Sequence, residues 1–302
     1  MHRLLAAAAI ALMSVAPAAA RQSDREEANL LGAVRSVQSR ISEDAGAERE
    51  GGRTRQLGLV AYDPSGNEVE RTVHDDYGFL VGRERRTRDP DGNLIESVLT
   101  DPKGEILERQ VYAYGGGRLA QIVHHDGSGK AGLRETHSYD SAGRLSDVTY
   151  YEGEEAVGRT AYRHDGRGRV LEVAFFLADG SRAVAPVGPC LGAHRMTTAY
   201  DELDRPVEVV AYEPDGEKKK AWLYAYDSKG QLAEDRREDS SSIIVFAYSY
   251  EYDSRGNWTR QIATATRQAK RSPRLAALEH SLEVTGEPYQ SRTIISRQIA
   301  YD

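Results

Sequence analysis

The pair Tyr-Asp returns at Tyr200-Asp201, Tyr226-Asp227 and Tyr252-Asp253, twenty-six residues apart each time, and this fixed beat limits what the chain can fold into. Each pair opens a four-residue unit that ends in Gly or a Gly substitute: Asp201-Glu202-Leu203-Asp204, Asp227-Ser228-Lys229-Gly230 and Asp253-Ser254-Arg255-Gly256. An Asp at the first turn position accepts hydrogen bonds from the amides it curls over, and Gly at the fourth takes positive φ without Cβ strain, which predicts type I turns with a G1 bulge. Asp204 substitutes for Gly because Asp tolerates that region better than most residues. Upstream, Asp63-Pro64-Ser65-Gly66, Asp89-Pro90-Asp91-Gly92 and Asp101-Pro102-Lys103-Gly104 place Pro second, where its φ is already set.

A second set of turns lies between these. Asp215-Gly216 falls between Asp201 and Asp227, and an alternation of about twelve and fourteen residues runs through Asp63, Asp75, Asp89, Asp101, Asp126, Asp140, Asp165 and Asp179, with two slips. Two turns per repeat leave two strands of roughly eight residues, each about 27 Å long, so one repeat is one β-hairpin. Strand patterning agrees: Ile244, Phe246, Tyr248, Tyr250 and Tyr252 alternate with Val245, Ala247, Ser249 and Glu251, as do Trp222, Tyr224 and Tyr226 with their neighbours. Tyr139, Tyr200, Tyr224, Tyr226, Tyr248, Tyr250 and Tyr252 are expected to stack as cross-strand ladders, with a carbohydrate platform as the alternative use of the rings. Only 39% of residues are hydrophobic and Phe occurs four times, too little for one large globular core. The expected fold is all-β: a repetitive antiparallel hairpin meander of roughly seventeen strands with a repeat of about 26 residues, curled into an open barrel or solenoid-like sheet.

Residues 1–20 read as a secretory signal peptide, with basic Met1-His2-Arg3, an apolar run from Leu4 to Ala16 and small residues Ala18-Ala19-Ala20 at the cut. Export to the periplasm or beyond is expected. Residues 21–302 then form one hairpin array interrupted by irregular loops at 43–55, 185–198 and 266–288. Ser23 to Asn29 suits a short helical turn and Ala33 to Ser42 a first strand, with a helix as the alternative because Leu30, Val34, Val37 and Ile41 also sit three and four apart. The final strand, Ser291 to Tyr301, is expected to leave an unpaired edge open to self-association. A net charge of −7 argues against nucleic acid, and Lys218-Lys219-Lys220 reads as a solvated hairpin tip. Cys190 is the single cysteine, so no intramolecular disulfide forms. A membrane-spanning barrel is not expected, because neither alternate face of residues 231–239 is apolar enough to meet lipid.

At Tyr139-Asp140-Ser141-Ala142-Gly143-Arg144-Leu145, Tyr226-Asp227-Ser228-Lys229-Gly230-Gln231-Leu232 and Tyr252-Asp253-Ser254-Arg255-Gly256-Asn257-Trp258 the chain resembles the YD repeats of bacterial Rhs-type proteins. The resemblance covers most of residues 21–302 and implies antiparallel hairpins that spiral into a shell, in that family often around a toxin cargo. The large members carry many more repeats and a self-cleaving Asp-Pro-x-Gly-Leu segment near the end. Asp89-Pro90-Asp91-Gly92-Asn93-Leu94 has one residue too many before Leu and lies early in the chain, so encapsulation and autoproteolysis are not carried over.

Candidate chemistry is sparse. Pro189, Cys190 and His194 lie in the 185–198 loop, the expected binding loop, and Cys190, His194 and Asp201 can be drawn as nucleophile, base and orienting acid. His124-His125-Asp126 is a weak metal motif and Asp89-Pro90-Asp91-Gly92-Asn93 a weak calcium loop. No catalytic, metal or cofactor site is expected. The reading is a non-catalytic structural or binding module of the bacterial envelope or exterior that engages a protein or glycan. The alternative is a small enzyme or toxin-delivery accessory using the Cys190/His194 loop.

Overall fold

The computed structural model describes residues 23–44, 54–185, 192–270 and 289–302. They form one short helix, α1 (Asp24–Glu27), and eighteen strands. The first nine are β1 (Val34–Asp44), β2 (Thr54–Tyr62), β3 (Glu68–His74), β4 (Leu80–Arg88), β5 (Leu94–Thr100), β6 (Ile106–Gly115), β7 (Arg118–Asp126), β8 (Ala131–Tyr139) and β9 (Leu145–Glu152). The rest are β10 (Glu155–His164), β11 (Val170–Leu177), β12 (Arg195–Tyr200), β13 (Pro206–Tyr212), β14 (Lys218–Tyr226), β15 (Leu232–Asp239), β16 (Ser242–Tyr252), β17 (Trp258–Ala269) and β18 (Tyr289–Tyr301). Each strand pairs antiparallel with the next. β18 then pairs back onto β1, from Val34 opposite Tyr301 to Asp44 opposite Arg292. The sheet is therefore a closed barrel. The free final edge expected from the sequence does not exist in this chain, because β1 covers it, and closure removes the template for self-association.

The Tyr-Asp turns show why these residues fold back. In the turn after β8, Gly143 N–H donates to the Asp140 carbonyl at 2.9 Å and Asp140 N–H to the Arg144 carbonyl at 2.8 Å. The Asp140 carboxylate takes the rest: Oδ1 accepts from the amides of Ala142 and Arg144, and Oδ2 from Arg144 Nε at 2.7 Å. Gly143 sits at φ 79°, where a Cβ would be strained. The turns at Asp165-Arg169 and Asp201-Arg205 repeat the arrangement. At Asp63 and Asp89, Asn67 and Asn93 replace the arginine, donating to the carboxylate through Nδ2. Asp227 Oδ1 accepts from the amides of Lys229 and Gln231 at 2.8 Å each, closed by Gly230 at φ 80°. Asp253 Oδ1 likewise holds the amides of Arg255 and Asn257, with Gly256 at φ 89°. Asp101 with Gly104 and Asp126 with Gly129 build the same form at the opposite end of the strands.

Among the described residues no tyrosine stacks on a tyrosine of a neighbouring strand; the ring contacts of Tyr248, Tyr250 and Tyr252 run along β16 and to Trp258. Tyr139 donates its hydroxyl to the Leu119 carbonyl, Tyr200 to Val170 and Tyr226 to Pro206, each at 2.8 Å, hooking the end of one strand to the start of the preceding one. Cations stack on the same rings: Arg118 on Tyr139, Arg169 on Tyr200, Arg205 on Tyr226 and Lys229 on Tyr252. Arginines also join turn to turn, with Arg144 donating to the Asp165 carbonyl at 3.0 Å and Arg169 to that of Asp201 at 3.2 Å. The expected aromatic ladder is thus a lattice of hooks and cations along one rim.

Some sequence boundaries move. The turn placed at Asp215 opens on Glu213, whose carbonyl receives Gly216 N–H at 3.0 Å. The slips in the beat are two tight connections: Gly116 and Gly117, both at positive φ, link Gly115 to Arg118, and Gly153 helps link Glu152 to Glu155. The Tyr-Asp turns and the first described residues share one rim. The ends of β1, β11 and β17 and the starts of β2, β12 and β18 lie at the other rim.

The seam is fastened from the N-terminal side. Ser23 caps α1 with a reciprocal bond to Glu26, and Asp24 accepts from Glu68 N–H and from Arg88, each at 2.6 Å. Asn257, only 2% exposed, receives Leu31 N–H at 2.6 Å and donates to the Leu31 carbonyl and the Tyr301 hydroxyl, each at 2.8 Å. Tyr301 in turn donates to Asp253. Leu30, Val34 and Val37 pack here with Tyr62, Ile299 and Tyr301. Two other apolar clusters, around Leu133, Val148 and Tyr150 and around Met196, Ala211 and Trp222, are likewise built from neighbouring strands. They line the wall instead of meeting in a shared centre.

Two substitutions test this account. Tyr226→Phe, which removes one hook, lowers stability by about 1 kcal/mol, and Asn257→Ala, which strips three buried bonds from the seam, lowers it by about 2–4 kcal/mol, both read from denaturant melts. Equal effects of the two would contradict the special role of the seam.

Candidate functional site on the inner wall

Alternation assigns the two faces of the sheet. Along β16, Ala247, Ser249 and Glu251 are exposed, whereas Phe246, Tyr248, Tyr250 and Tyr252 on the other face are half-buried. On β4, Arg83 and Arg85 are exposed and Glu84 and Arg86 half-buried. The half-buried face is the inner wall. Its register neighbours from β3 to β8 are polar: Arg71 lies opposite Glu84, Arg86 opposite Ser97, Ser97 opposite Gln110, Gln110 opposite His124. From β14 to β18 they are largely aromatic or small.

The polar side is internally neutralised. Glu68, 6% exposed, pairs with Arg71 and Arg86, and Glu84 bonds Arg86 and Ser97. His124 bridges Glu108 at 3.4 Å and Glu135 at 2.9 Å, and His137 lies 3.6 Å from Glu135. Burial pulls the His124 pKa down, but hydrogen bonds and charge from the two glutamates more than reverse this and lift it from 6.5 to about 9. Burial likewise pushes Glu135 up, and the two histidines hold it down at about 2. His125 belongs to the opposite face, so the His124-His125 pair points apart and cannot chelate together. Among the described residues no group of three or more His, Cys, Asp or Glu is placed to hold a metal.

The aromatic side is built on β15 to β18. Phe246 and Tyr248 stack with centroids 6.4 Å apart, Tyr250 lies 6.3 Å from Tyr252, and Trp258 meets Tyr250 edge-on at 6.0 Å. Across the ladder to β17, Phe246 faces Ala265, Tyr248 faces Ala263 and Tyr250 faces Gln261. Beyond them on β18 lie Ser291, Thr293 and Ile295. The ring row therefore stands beside a floor of small side chains. On its other flank Asp235 faces Phe246 and Arg237 faces Ile244. Arg237 stacks on Phe246 with its carbon 4.4 Å from the ring centroid and bonds Asp235 Oδ2 at 2.6 Å. Arg297 of β18 lies over Trp258 at 3.3 Å. Tyr248 and Tyr250 have pKa values raised by burial, so both hydroxyls stay protonated donors. Tyr250 donates to the Leu232 carbonyl at 2.9 Å and accepts from Gln261. Tyr224 packs instead with the Met196, Ala211 and Trp222 cluster.

No protein family matches the chain, and no curated protein matches it. Among solved structures it is similar to a porin-like protein from Bacteroides uniformis ATCC 8492, at 11% identity and TM-score 0.41 over 88% of this chain and 96% of that one. A porin-like protein from Bacteroides vulgatus ATCC 8482 aligns at 10% identity and TM-score 0.27, over 87% and 97% of the respective chains. A TcdB2-TccC3-Cdc42 structure aligns at 11% identity and TM-score 0.32, over 76% of this chain but 18% of that one. At such identities and TM-scores these likenesses bear no functional argument.

The loop candidates fare differently. Pro189 and Cys190 lie outside the described residues. His194 is buried at 9% exposure, its backbone tied to Phe175 and Tyr212. Asp201 lies at the far end of β12, about 20 Å away at the usual rise, with its carboxylate engaged by Arg205, so it cannot orient His194. The Asp89 carboxylate is occupied by Asn93, as a turn requires and a calcium loop does not. Sequence reasoning missed Asp235, Arg237, Trp258 and Arg297. Their alternation with exposed neighbours was readable, but which face turned inward was not.

The His124 network sets a pH dependence. Its contribution through His124 is full below the unfolded value of 6.5 and is lost as pH rises through about 9; that through Glu135 is present above 4.5 and lost as pH falls through about 2. The stability difference between wild type and His124→Gln is accordingly greatest between pH 4.5 and 6.5 and shrinks on both sides, as melts across the pH range will show.

Proposed function

We propose that this protein is a non-catalytic barrel, exported to the bacterial envelope or exterior, that binds a carbohydrate chain along the ring row of β16. The observation that supports the reading is the geometry of that row: half-buried Phe246, Tyr248 and Tyr250 standing beside Ala263 and Ala265, with Asp235, Arg237 and Gln261 at its margins. Aromatic faces take the C–H faces of sugars, a small-residue floor leaves room for them, and polar groups at the edge fix hydroxyls. Export rests on the leader-like residues 1–20, and kinship with YD-repeat proteins on the carboxylate-centred turns.

A position outside the lipid bilayer is part of the proposal. Among the described residues no helix is long and apolar enough to cross a membrane, which leaves the strands to consider. The outer face carries ion pairs around much of its circumference: Arg85 with Glu70, Arg109 with Glu96, Arg159 with Asp147, Arg195 with Glu172, Lys218 with Glu208 and Arg236 with Glu238. A lipid-facing barrel needs an apolar band about 25 Å tall, and charged groups within it are costly. A protein partner is the second reading, favoured by Tyr77 and Phe79, exposed at 73% and 71% beside the turn between β3 and β4.

The test is titration of the mature protein against a panel of oligosaccharides, followed by Tyr248→Ala. At least one oligosaccharide is expected to bind, and the variant to bind it tenfold or more weakly with its melting curve little changed. Binding indifferent to Tyr248 would remove the ring row from the site. A Cys190→Ala variant with unchanged binding is expected as well.

A further inference from the structure

We infer that the carbohydrate taken by this wall is acidic, its carboxylate or sulfate held by Arg297; the inference rests on the glycan-binding reading above. Arg297 is an inner-wall residue of β18, paired in register with Ser39 of β1 and lying against Trp258 of β17. The other buried or half-buried arginines of the inner wall have carboxylates: Arg71 and Arg86 have Glu68 and Glu84, and Arg237 has Asp235. Among the described residues Arg297 has none, and its Nε is buried without a hydrogen-bond partner.

A half-buried guanidinium whose Nε is desolvated and which has no counter-charge is costly to a fold, and stacking on Trp258 recovers only a part of that cost. Burial draws its pKa down to about 10, opposed by Tyr62 and Tyr250, so it remains a cation at neutral pH. The fold thus holds a fixed positive charge, backed by an indole and flanked by phenols, on a wall where Arg71, Arg86 and Arg237 are each matched by a carboxylate. A planar fork of N–H donors in that setting suits a carboxylate or sulfate.

A second, independent observation places hydroxyl-binding groups on the same wall. Asp235, 3% exposed, leaves Oδ1 without a partner while its Oδ2 engages Arg237, and the buried hydroxyl of Tyr252 is also unpartnered. Buried polar atoms are seldom left unpaired. Asp235 accepts and Tyr252 donates or accepts, which matches the hydroxyls of a sugar ring laid on Tyr248 and Tyr250. Together the acceptor on β15, the rings on β16 and the cation on β18 span the width that a short acidic oligosaccharide would occupy. The acidic net charge of the chain, −7, keeps polyanions off its general surface, so recognition falls to this local cation.

The experiment uses the mature protein and three probes: hexagalacturonate, a sulfated oligosaccharide of similar length and neutral cellohexaose. Calorimetry gives affinity, and Trp258 fluorescence, with Trp222→Phe to remove the only other indole, reports on the Arg297 contact. One or both acidic probes are expected to bind at least tenfold more tightly than cellohexaose, to weaken with added salt and to shift Trp258 emission; the ratio between the acidic probes identifies carboxylate or sulfate. Arg297→Gln is expected to abolish the preference for acid while raising the melting temperature, because it removes an unmatched buried charge, and Arg297→Lys to retain a part of the preference. A merely structural arginine would give the opposite change in melting temperature. Equal binding of neutral and acidic probes, or an acid preference that survives Arg297→Gln, overturns the inference and leaves the glycan-binding wall standing. Failure of all three probes to bind overturns this inference, and failure across the wider panel overturns the wall itself.

Discussion

The carboxylate at the head of each Tyr-Asp turn is the interaction from which the architecture follows. One oxygen of Asp140, Asp165 or Asp201 gathers two backbone amides that a sharp reversal would otherwise leave without partners, and the second anchors an arginine four residues on. That arginine is then fixed well enough to stack on the next tyrosine or reach the next turn. Each bond contributes about 1 kcal/mol or less on its own. Repeated around a rim, they set the interval at which the chain reverses and the register in which successive hairpins meet.

A barrel made this way has an interior that need not resemble a globular core. Its apolar clusters are separate patches along the wall, and between them the β3–β8 sector buries charges that are matched to one another. Hydrophobic burial is correspondingly thin, in keeping with a chain that is 39% hydrophobic. On β16 with β17, by contrast, rings stand in a row beside small side chains and not within one of these apolar clusters.

Turn chemistry was the most legible part of the chain, because Asp, Pro and Gly act within four residues and need no distant partner. Hairpins from residue 57 to 185 and a first strand near residues 33–42 could be read for that reason. Closure could not, since the pairing of β18 with β1 joins residues about 250 or more positions apart, from Asp44 with Arg292 to Val34 with Tyr301, and leaves no local trace. The tyrosine ladders failed for a related reason: alternation shows that Tyr139 and Tyr226 share a face with their own strand, but the cation above each ring comes from the preceding turn. His194 and Asp201, close in sequence, are separated by a full strand, while Asp235 and Phe246, eleven apart, are neighbours. Proximity along a β-meander is a poor guide to proximity in space.

Circular closure also dictates an order of events. The seam joins the first of the eighteen strands to the last, so β1 can pair early with β2 on one edge, while its other edge has no partner until β18 has been made. Hairpins can form early and locally, within microseconds, but the ring is completed only through the longest loop closure the molecule makes. Such a protein acquires its final stability late, when the last strand closes the ring.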